Sequence, residues 1–230
     1  MPSSVCILTA YDDRFADLGA ISVPSMRRFA DAHGYALRAV ERNGCSRRGG
    51  WLKIEPIIEA LSGGFDFVLW LDADTYVARA DVDIRNVTHP DIDLHMAWHV
   101  PPQHEHGDLP HFNTGVMLIR ASDWSRAFFA RVWERGPLAH KWNDQATIHH
   151  LLGLDGALRM GENSDVMSRS PVSSLNVSWN SIPAVCAVDD PMIWHCAGIE
   201  MSARLDLMRR YTSAAVRASA SSGPFGRNGG

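Results

Sequence analysis

An unbroken apolar run, residues 67–71, ends at two aspartates separated by one residue, Asp72 and Asp74. Five consecutive apolar residues are typical of a strand covered on both faces, as in parallel sheets flanked by helices. In an extended segment residues i and i+2 point to the same side, so the two carboxylates would face one way and raise each other's pKa. Because ligands of open α/β sheets bind beyond the carboxyl ends of the strands, the pair predicts a functional edge.

The acidic pair can be interpreted in two ways. A hard divalent cation would coordinate both carboxylates and remove their repulsion, whereas two acids in a solvated turn would need no metal. The apolar strand that precedes Asp72 and Asp74 favours the metal site, and so does the alternation of strands and helices before it.

Strand-like and helix-like patterns alternate along the first 77 residues. Residues 5–11, 35–42 and 67–71 are strand-like, and residues 15–33 and 51–61 have helical spacing. This β-α-β-α-β order predicts an α/β fold with a mainly parallel central sheet and helices on both faces.

The second half of the chain is less regular. Residues 93–100, 112–120 and 192–198 are strand-like, and residues 122–136 and 142–153 are helical, with Ser122 as a plausible N-cap. Residues 155–191 have no pattern that assigns them. We predict a single domain over residues 1–215 and a disordered tail over residues 216–230.

Composition excludes several classes of protein. The 230 residues are 46% hydrophobic and 21% charged, as in globular domains, and the net charge of −4 gives no reason to expect nucleic acid as a partner. No apolar run approaches the ~20 residues of a transmembrane helix, and the N-terminus lacks the basic region of a signal peptide. The four cysteines have neither zinc nor disulfide spacing. We expect a soluble cytoplasmic protein with free thiols; its oligomeric state is not predicted.

Five stretches together resemble the motifs of a known enzyme family in their order and spacing. They are WLKIEPI (51–57), LWLDADTYV (69–77), HFNTGVMLIRAS (111–122), WNDQATI (142–148) and IWHCAG (193–198). The family is that of retaining galactosyl-, mannosyl- and xylosyltransferases with the GT-A fold, typified by yeast α-mannan and plant xyloglucan enzymes. The resemblance implies a nucleotide-sugar half over about residues 1–80 and an acceptor half over about residues 81–215.

The resemblance also implies a UDP-sugar donor and Mn²⁺, with Mg²⁺ as an alternative. Asp72, Asp74 and His195 would be the metal ligands, and a borderline-soft ion such as Mn²⁺ tolerates this mixed set of oxygen and nitrogen. Asp144 would contact the hydroxyls of the donor sugar, and Gln145 would lie beneath its anomeric carbon. Since an amide is a poor nucleophile, Gln145 predicts retention by same-face attack rather than a covalent glycosyl-enzyme.

Further residues are implied to bind the substrates. The end of the first strand would hold the uridine, the segment that begins at Asn113 would lie against the donor sugar, and the loop with Trp179 would face the acceptor. The complete set is Thr9, Ala10, Tyr11, Lys53, Leu71, Ala73, Asn113, Thr114, Gly115, Trp179, Asn180 and Gly198.

Several of these residues have a structural alternative. Taken alone, His195 could be a satisfied interior histidine and Lys53 a surface lysine on an amphipathic helix. Tyr11 could belong to the core, and Asp144 suits a helix N-cap.

A histidine-rich stretch spans residues 89–111. A second zinc site there is one interpretation, but we expect solvent-exposed loop histidines. The residues concerned are His89, His95, His99, His104, His106 and His111.

Two other functions compete with sugar transfer. A nucleotidyltransferase shares the nucleotide half of the fold, but YDDRFADLG (11–19) is a poor match to its Gly-rich first loop. A non-catalytic module that binds sugar nucleotides or glycans would be expected to have lost part of the site. The acceptor, whether a glycan, a lipid or another hydroxyl compound, is not predicted.

Overall fold

The computed structural model describes residues 2–101, 109–158, 166–167, 169, 171–183 and 185–221. The helices within these residues are α1 (Ala16–His33), α2 (Ile54–Leu61), α3 (Asp123–Arg135), α4 (Asp144–Leu151), α5 (Asp155–Leu158) and α6 (Met201–Ser221). The strands are β1 (Val5–Tyr11), β2 (Ala36–Glu41), β3 (Phe67–Leu71), β4 (Thr75–Val77), β5 (Leu94–His99), β6 (His111–Arg120), β7 (Val172–Leu175) and β8 (Ile193–His195).

A six-stranded sheet forms the centre of the molecule, in the order β2-β1-β3-β6-β5-β7. Strand β1 is parallel to β2 and β3, and β5 is parallel to β7, whereas β6 is antiparallel to both of its neighbours. The mainly parallel sheet predicted from the first 77 residues is therefore confirmed, with β6 as the strand that reverses direction.

Strand β3 is covered on both faces, as its unbroken apolar sequence predicts. Phe67, Leu69 and Leu71 pack in the apolar layer that contains Phe29 of α1. Val68 and Trp70 pack in the opposite layer, with residues of α2, α3 and α4. Alternate side chains of β3 thus belong to two apolar cores. The strand lies in the middle of the sheet and ends, at Leu71, at the edge formed by the carboxyl ends of the parallel strands.

The short strands β4 and β8 form a separate antiparallel pair in which Thr75 lies opposite His195. Because β4 begins just after the acidic pair, this pairing brings a residue from more than a hundred positions downstream beside Asp74. The β3–β4 connection is a turn rather than extended backbone, with a hydrogen bond of 3.0 Å from the Thr75 amide to the Asp72 carbonyl. The extended backbone expected at the two aspartates is therefore wrong, although their carboxylates point to one place as predicted.

Helix boundaries follow the predicted signals closely. Ser122 caps α3, where its hydroxyl accepts from the Ser125 amide and the Ser125 hydroxyl accepts in return from the Ser122 amide. Gly34 ends α1 with a φ of 69°, a left-handed conformation that glycine adopts without strain.

The structure assigns elements to two regions for which the sequence pattern predicted none. Within residues 155–191 the structure places α5 and β7, which the sequence pattern does not assign. Helix α6 continues through Ser221, so the predicted tail is helical over residues 216–221, where alanine and arginine favour a helix; residues 222–230 lie outside the described residues.

All four cysteines are free thiols, and no helix in the described ranges is long and apolar enough to cross a membrane.

The expectation of exposed histidines is wrong for three of the six in residues 89–111. His95, His99 and His111 are buried because they lie on the paired strands β5 and β6 rather than in a loop. His89 is exposed, and His104 and His106 lie outside the described residues. Burial lowers the pKa of His95 to about 4 and of His99 to about 3, and it lowers that of His149 on α4 to about 4.

These buried imidazoles predict that acid weakens the fold. An unfolded histidine has a pKa of about 6.5, so below that pH the unfolded chain binds protons that folded His95, His99 and His149 do not. We expect the free energy of unfolding to fall by roughly 3 kcal/mol between pH 6.5 and 5.5, and to fall further toward pH 4. Urea unfolding at the two pH values measures it. His95→Leu should reduce the dependence and exposed His89→Leu should preserve it; equal stability at both pH values would contradict the prediction.

Candidate active site and metal centre

Asp72, Asp74 and His195 converge at the end of β3. One ligand atom from each lies within 4.8 Å of the others. His195 Nε2 is 3.4 Å from Asp74 Oδ1 and 3.8 Å from Asp72 Oδ2. Asp74 and His195 are buried, whereas the Asp72 side chain is 27% exposed, so the cluster opens to solvent on the Asp72 side. Two carboxylates and an imidazole at this spacing can hold a divalent cation, with room left for ligand oxygens.

Each carboxylate has a second oxygen that is held by a cationic side chain. Asp72 Oδ1 accepts from Trp70 Nε1 at 2.7 Å and lies 3.0 Å from Lys53 Nζ. Asp74 Oδ2 lies 3.1 Å from Arg204 Nη1, on α6. The oxygens that remain, Asp72 Oδ2 and Asp74 Oδ1, are the ones nearest His195. The surroundings therefore orient each carboxylate to offer one oxygen to a shared point.

Pairing with groups of opposite charge, rather than exposure to water, determines which side chains at this centre are charged. Burial raises the pKa of Asp74, but His195 and Arg204 outweigh it and lower the value to about 2. Burial lowers the pKa of Lys53, but the carboxylates of Asp144 and Asp72 outweigh it and raise the value above that of an exposed lysine. Asp74 is thus ionised and Lys53 is charged at neutral pH.

Lys53 connects the acidic pair to helix α4. Its ammonium group is 3.1 Å from Asp144 Oδ2 and 3.1 Å from the Thr114 carbonyl, in addition to its contact with Asp72. The side chain is only 2% exposed, so the surface-lysine alternative is wrong. The same contacts show that this ammonium is already shared between two carboxylates. Burial and the charge of Asp72 raise the pKa of Asp144 although Lys53 acts against them.

The first turn of α4 places Asp144 and Gln145 beside strand β6. Asp144 Oδ2 accepts from the Thr114 hydroxyl at 3.1 Å, and Gln145 Oε1 accepts from the Thr114 amide at 3.2 Å. The N-cap residue is Asn143, whose φ of 50° is unusual for a residue other than glycine. Asp144 is therefore not the N-cap, and both predicted side chains are buried next to Lys53 and β6.

Two glycines make room for these side chains. A Cβ at Gly115 would lie 2.0 Å from Cε1 of His195, and a Cβ at Gly50 would lie 1.8 Å from Oδ1 of Asp144. Neither distance is sterically allowed, because the atoms that a side chain would meet are held inside the site. The predicted N-T-G segment thus needs Gly115 to leave room for the His195 ring, and Gly50 likewise leaves room for Asp144 at the start of α4.

A cleft runs from the acidic pair to the ends of β1 and the loop before α2. Tyr11 lies at its rim with its ring over Gly19, where an added Cβ would meet the ring at 2.5 Å. The residues that line the cleft are Ala10, Tyr11, Phe15, Gly49, Gly50, Leu52, Asp72, Ala73, Asp74 and Arg204. The lining combines aromatic and glycine surfaces with acids and a cation at one end.

Other predicted residues lie near the cleft without lining it. Thr9 and Leu71 are fully buried inside their strands. Trp179 packs against Phe29 in the core, with ring centroids 6.3 Å apart, so its indole does not face an acceptor. Asn180 is also fully buried and contacts His195 and Asn113. Gly198 forms a left-handed turn after β8, with a φ of 76°.

Sequence reasoning missed Arg204, Trp70 and Gly50. Arg204 follows the last motif by several residues, and only the course of α6 brings it to Asp74. Trp70 looks like a core residue in the sequence, and it is one, but its indole N–H also fixes Asp72. Gly50 belongs to a Gly-Gly pair that could have signalled a close approach of backbone to ligand.

A family model described as nucleotide-diphospho-sugar transferase matches residues 39–203, more than half of the chain. The matched span contains the three clustered residues and the first turn of α4, and it ends just before Arg204. No curated protein matched the sequence.

Solved structures of glycosyltransferases have the same fold at low sequence identity. A glycosyltransferase involved in glycosylation of the major capsid of PBCV-1 is 18% identical with a TM-score of 0.68, over 90% of this chain and 99% of its own. GlyE of Streptococcus pneumoniae is 15% identical with a TM-score of 0.60, over 99% of this chain and 67% of its own. The galactosyltransferase LgtC, solved with donor and acceptor sugar analogs, is 17% identical with a TM-score of 0.55, over 92% of this chain and 95% of its own.

These neighbours show that the fold is the GT-A fold of glycosyltransferases. The family match and the fold agree with the site, in which acids, an imidazole and a cleft meet at the carboxyl edge of the sheet. The chain therefore belongs to the nucleotide-diphospho-sugar transferase family.

Proposed function

We propose that the protein transfers a hexosyl or pentosyl unit from a UDP-sugar to an acceptor hydroxyl, with retention of configuration. The observation that carries the proposal is the convergence of Asp72, Asp74 and His195 within 4.8 Å at the end of the cleft. A divalent cation held there would stabilise the charge that develops on the departing diphosphate. Mn²⁺ suits the two oxygens and one nitrogen best, with Mg²⁺ as the alternative.

The chain's own residues would bind and orient the donor. Tyr11 at the rim of the cleft would stack on the uracil, and the small side chain of Ala73 would let the diphosphate approach the turn. Arg204 is close enough to Asp74 to add positive charge beside the phosphates. Because Lys53 is shared by Asp72 and Asp144, we assign it to holding these carboxylates rather than to direct contact with phosphate.

The first turn of α4 would determine the stereochemistry. Asp144 Oδ1, the oxygen that faces Gly50, would accept from a hydroxyl of the donor sugar. Gln145 would place its amide beside the anomeric carbon, where it can stabilise positive charge but does not readily form a covalent bond. Attack by the acceptor on the same face as the leaving group, with the departing phosphate taking the proton, would retain the configuration. The acceptor hydroxyl belongs to a glycan, a lipid or another compound, and a cytoplasmic location stays a prediction of the sequence.

Donor hydrolysis tests the proposal. We expect the protein to release UDP from at least one of UDP-galactose, UDP-glucose and UDP-xylose when Mn²⁺ is present, and to stop when the metal is chelated. The anomer first released, followed by NMR, should retain the donor's configuration. Release of an inverted anomer would contradict retention, and nucleotide stabilisation by CTP or ATP but not by UDP would favour nucleotidyl transfer instead.

A further inference from the structure

Two asparagines, Asn180, which is fully buried, and Asn113, which is partly buried, connect His195 to the backbone of β6. Asn180 Nδ2 donates to Asn113 Oδ1 at 2.9 Å, and the same oxygen accepts from the Gly115 amide at 2.9 Å. The other end of the Asn180 amide, Oδ1, lies 2.9 Å from His195 Nδ1. Asn180 is fully buried and His195 is 2% exposed, so the bond between them is shielded from solvent.

The hydrogen-bond roles in this chain can be deduced from one fixed donor. A backbone amide only donates, so the Asn113 atom that faces the Gly115 amide must be its carbonyl oxygen. That oxygen only accepts, so the Asn180 atom facing it must be the amide nitrogen. The remaining Asn180 atom is then an oxygen, and it requires a proton on His195 Nδ1. The Gly115 amide thus fixes both amide orientations and the tautomer of the imidazole.

This tautomer is the one that a metal ligand needs. With the proton on Nδ1, the lone pair of a neutral His195 is on Nε2, the nitrogen that lies 3.4 Å from Asp74 Oδ1. The surroundings also hold the ring in place. The His195 amide donates to the Ser181 carbonyl at 2.8 Å, and Trp179, packed against Phe29, anchors the loop that carries Asn180.

We propose that Asn113 and Asn180 are positioning residues for the metal ligand His195, and that their side-chain oxygens do not bind substrate. The proposal rests on the proposed function, because it presumes that the centre holds a divalent cation. It replaces the expectation that Asn180 faces the acceptor. Asn180 is fully buried, and the side-chain oxygen of Asn113 already accepts from the Gly115 amide and from Asn180, so neither oxygen is available to a sugar hydroxyl without breaking these hydrogen bonds.

The test compares Mn²⁺ affinity among variants, measured with UDP present by the electron paramagnetic resonance signal of free Mn²⁺. Asn180→Leu removes both hydrogen bonds, and we expect about 10- to 100-fold weaker binding of Mn²⁺, the usual cost of losing a partner of a metal ligand. Asn180→Asp keeps an oxygen for the Nδ1 proton but sets a second acceptor against Asn113 Oδ1, so it should bind Mn²⁺ more tightly than Asn180→Leu and more weakly than the wild type. Asn86→Leu, the same change at an exposed site, is the matched control and should bind as the wild type.

The outcomes separate the two proposals. If the wild type binds no Mn²⁺ even with UDP, the proposed function fails. If the wild type binds Mn²⁺ and Asn180→Leu binds it equally well while the KM for the donor or the acceptor rises, only the positioning role is overturned.

A second measurement needs no variant and covers the case in which Asn180→Leu does not fold. In ¹⁵N NMR spectra of the metal-free wild type, at a pH where the imidazole is neutral, His195 should carry its proton on Nδ1. A proton on Nε2 instead would overturn the proposed chain of hydrogen bonds from Gly115 to His195.

Discussion

Replacing Asp74 by Asn is expected to lower metal-dependent release of UDP by at least about 100-fold. Asp74 is the buried carboxylate of the cluster, and its Oδ1 is the oxygen nearest His195 Nε2, at 3.4 Å. An amide at this position has no negative charge to attract a cation, and it leaves Arg204 without its ionised partner. Initial rates of UDP release at saturating Mn²⁺ measure the effect.

The matched control for this variant is Asp91→Asn, which makes the same chemical change at a side chain that is 86% exposed. It should leave the rate unchanged. Circular dichroism of both variants distinguishes loss of the centre from loss of the fold. A variant Asp74→Asn that is folded and retains the wild-type rate with Mn²⁺ would show that this carboxylate is not a metal ligand.

Replacing Lys53 by Met is expected to destabilise the protein by about 3–5 kcal/mol. The ammonium group lies between Asp72 Oδ1 and Asp144 Oδ2, at 3.0 Å and 3.1 Å, and the side chain is 2% exposed. Without it, Asp72 and Asp144 repel each other, and Asp144 remains in a buried site without its cation. Methionine has nearly the shape of lysine, so the loss reflects the charge and its hydrogen bonds rather than a cavity. Urea unfolding measures the change.

Lys141→Met serves as the control, because Lys141 is exposed and the chemical change is identical. We expect it to alter the free energy of unfolding by no more than about 0.5 kcal/mol. If Lys53→Met were as stable as this control, the bridge between the acidic pair and α4 would not hold the site together. Activity should fall with stability in Lys53→Met, since Asp144 and Asp72 both lose their orientation.

The parts of the site that the sequence predicts are those with a local signal. The apolar run before Asp72 and the helical pattern after Asn143 are each contained in a few consecutive residues, and both elements form as expected. The proposed metal role of His195 rests on the resemblance, because nothing near it in sequence indicates that β8 pairs with β4. The candidate site combines residues from the predicted nucleotide-sugar half, residues 1–80, with residues from the predicted acceptor half, residues 81–215.

The parts that could not be predicted depend on partners distant in sequence. Whether Lys53 faces solvent or two carboxylates is decided by the approach of α4 to the sheet, not by the helix that carries it. Likewise, the burial of His95 and His99 follows from the pairing of β5 with β6, and a histidine-rich composition suggests the opposite. Arg204 reaches the centre only through the packing of α6, which no motif describes.

The central claim is that Asp72, Asp74 and His195 together hold one divalent cation. Crystals grown with Mn²⁺ and UDP test it directly, through anomalous diffraction from manganese. We predict a single strong peak at about 2.0–2.4 Å from one oxygen of each aspartate and from Nε2 of His195, and no such peak in Asp74→Asn. A manganese peak elsewhere with UDP bound in the cleft, or bound UDP with no metal at these three side chains, would contradict the account.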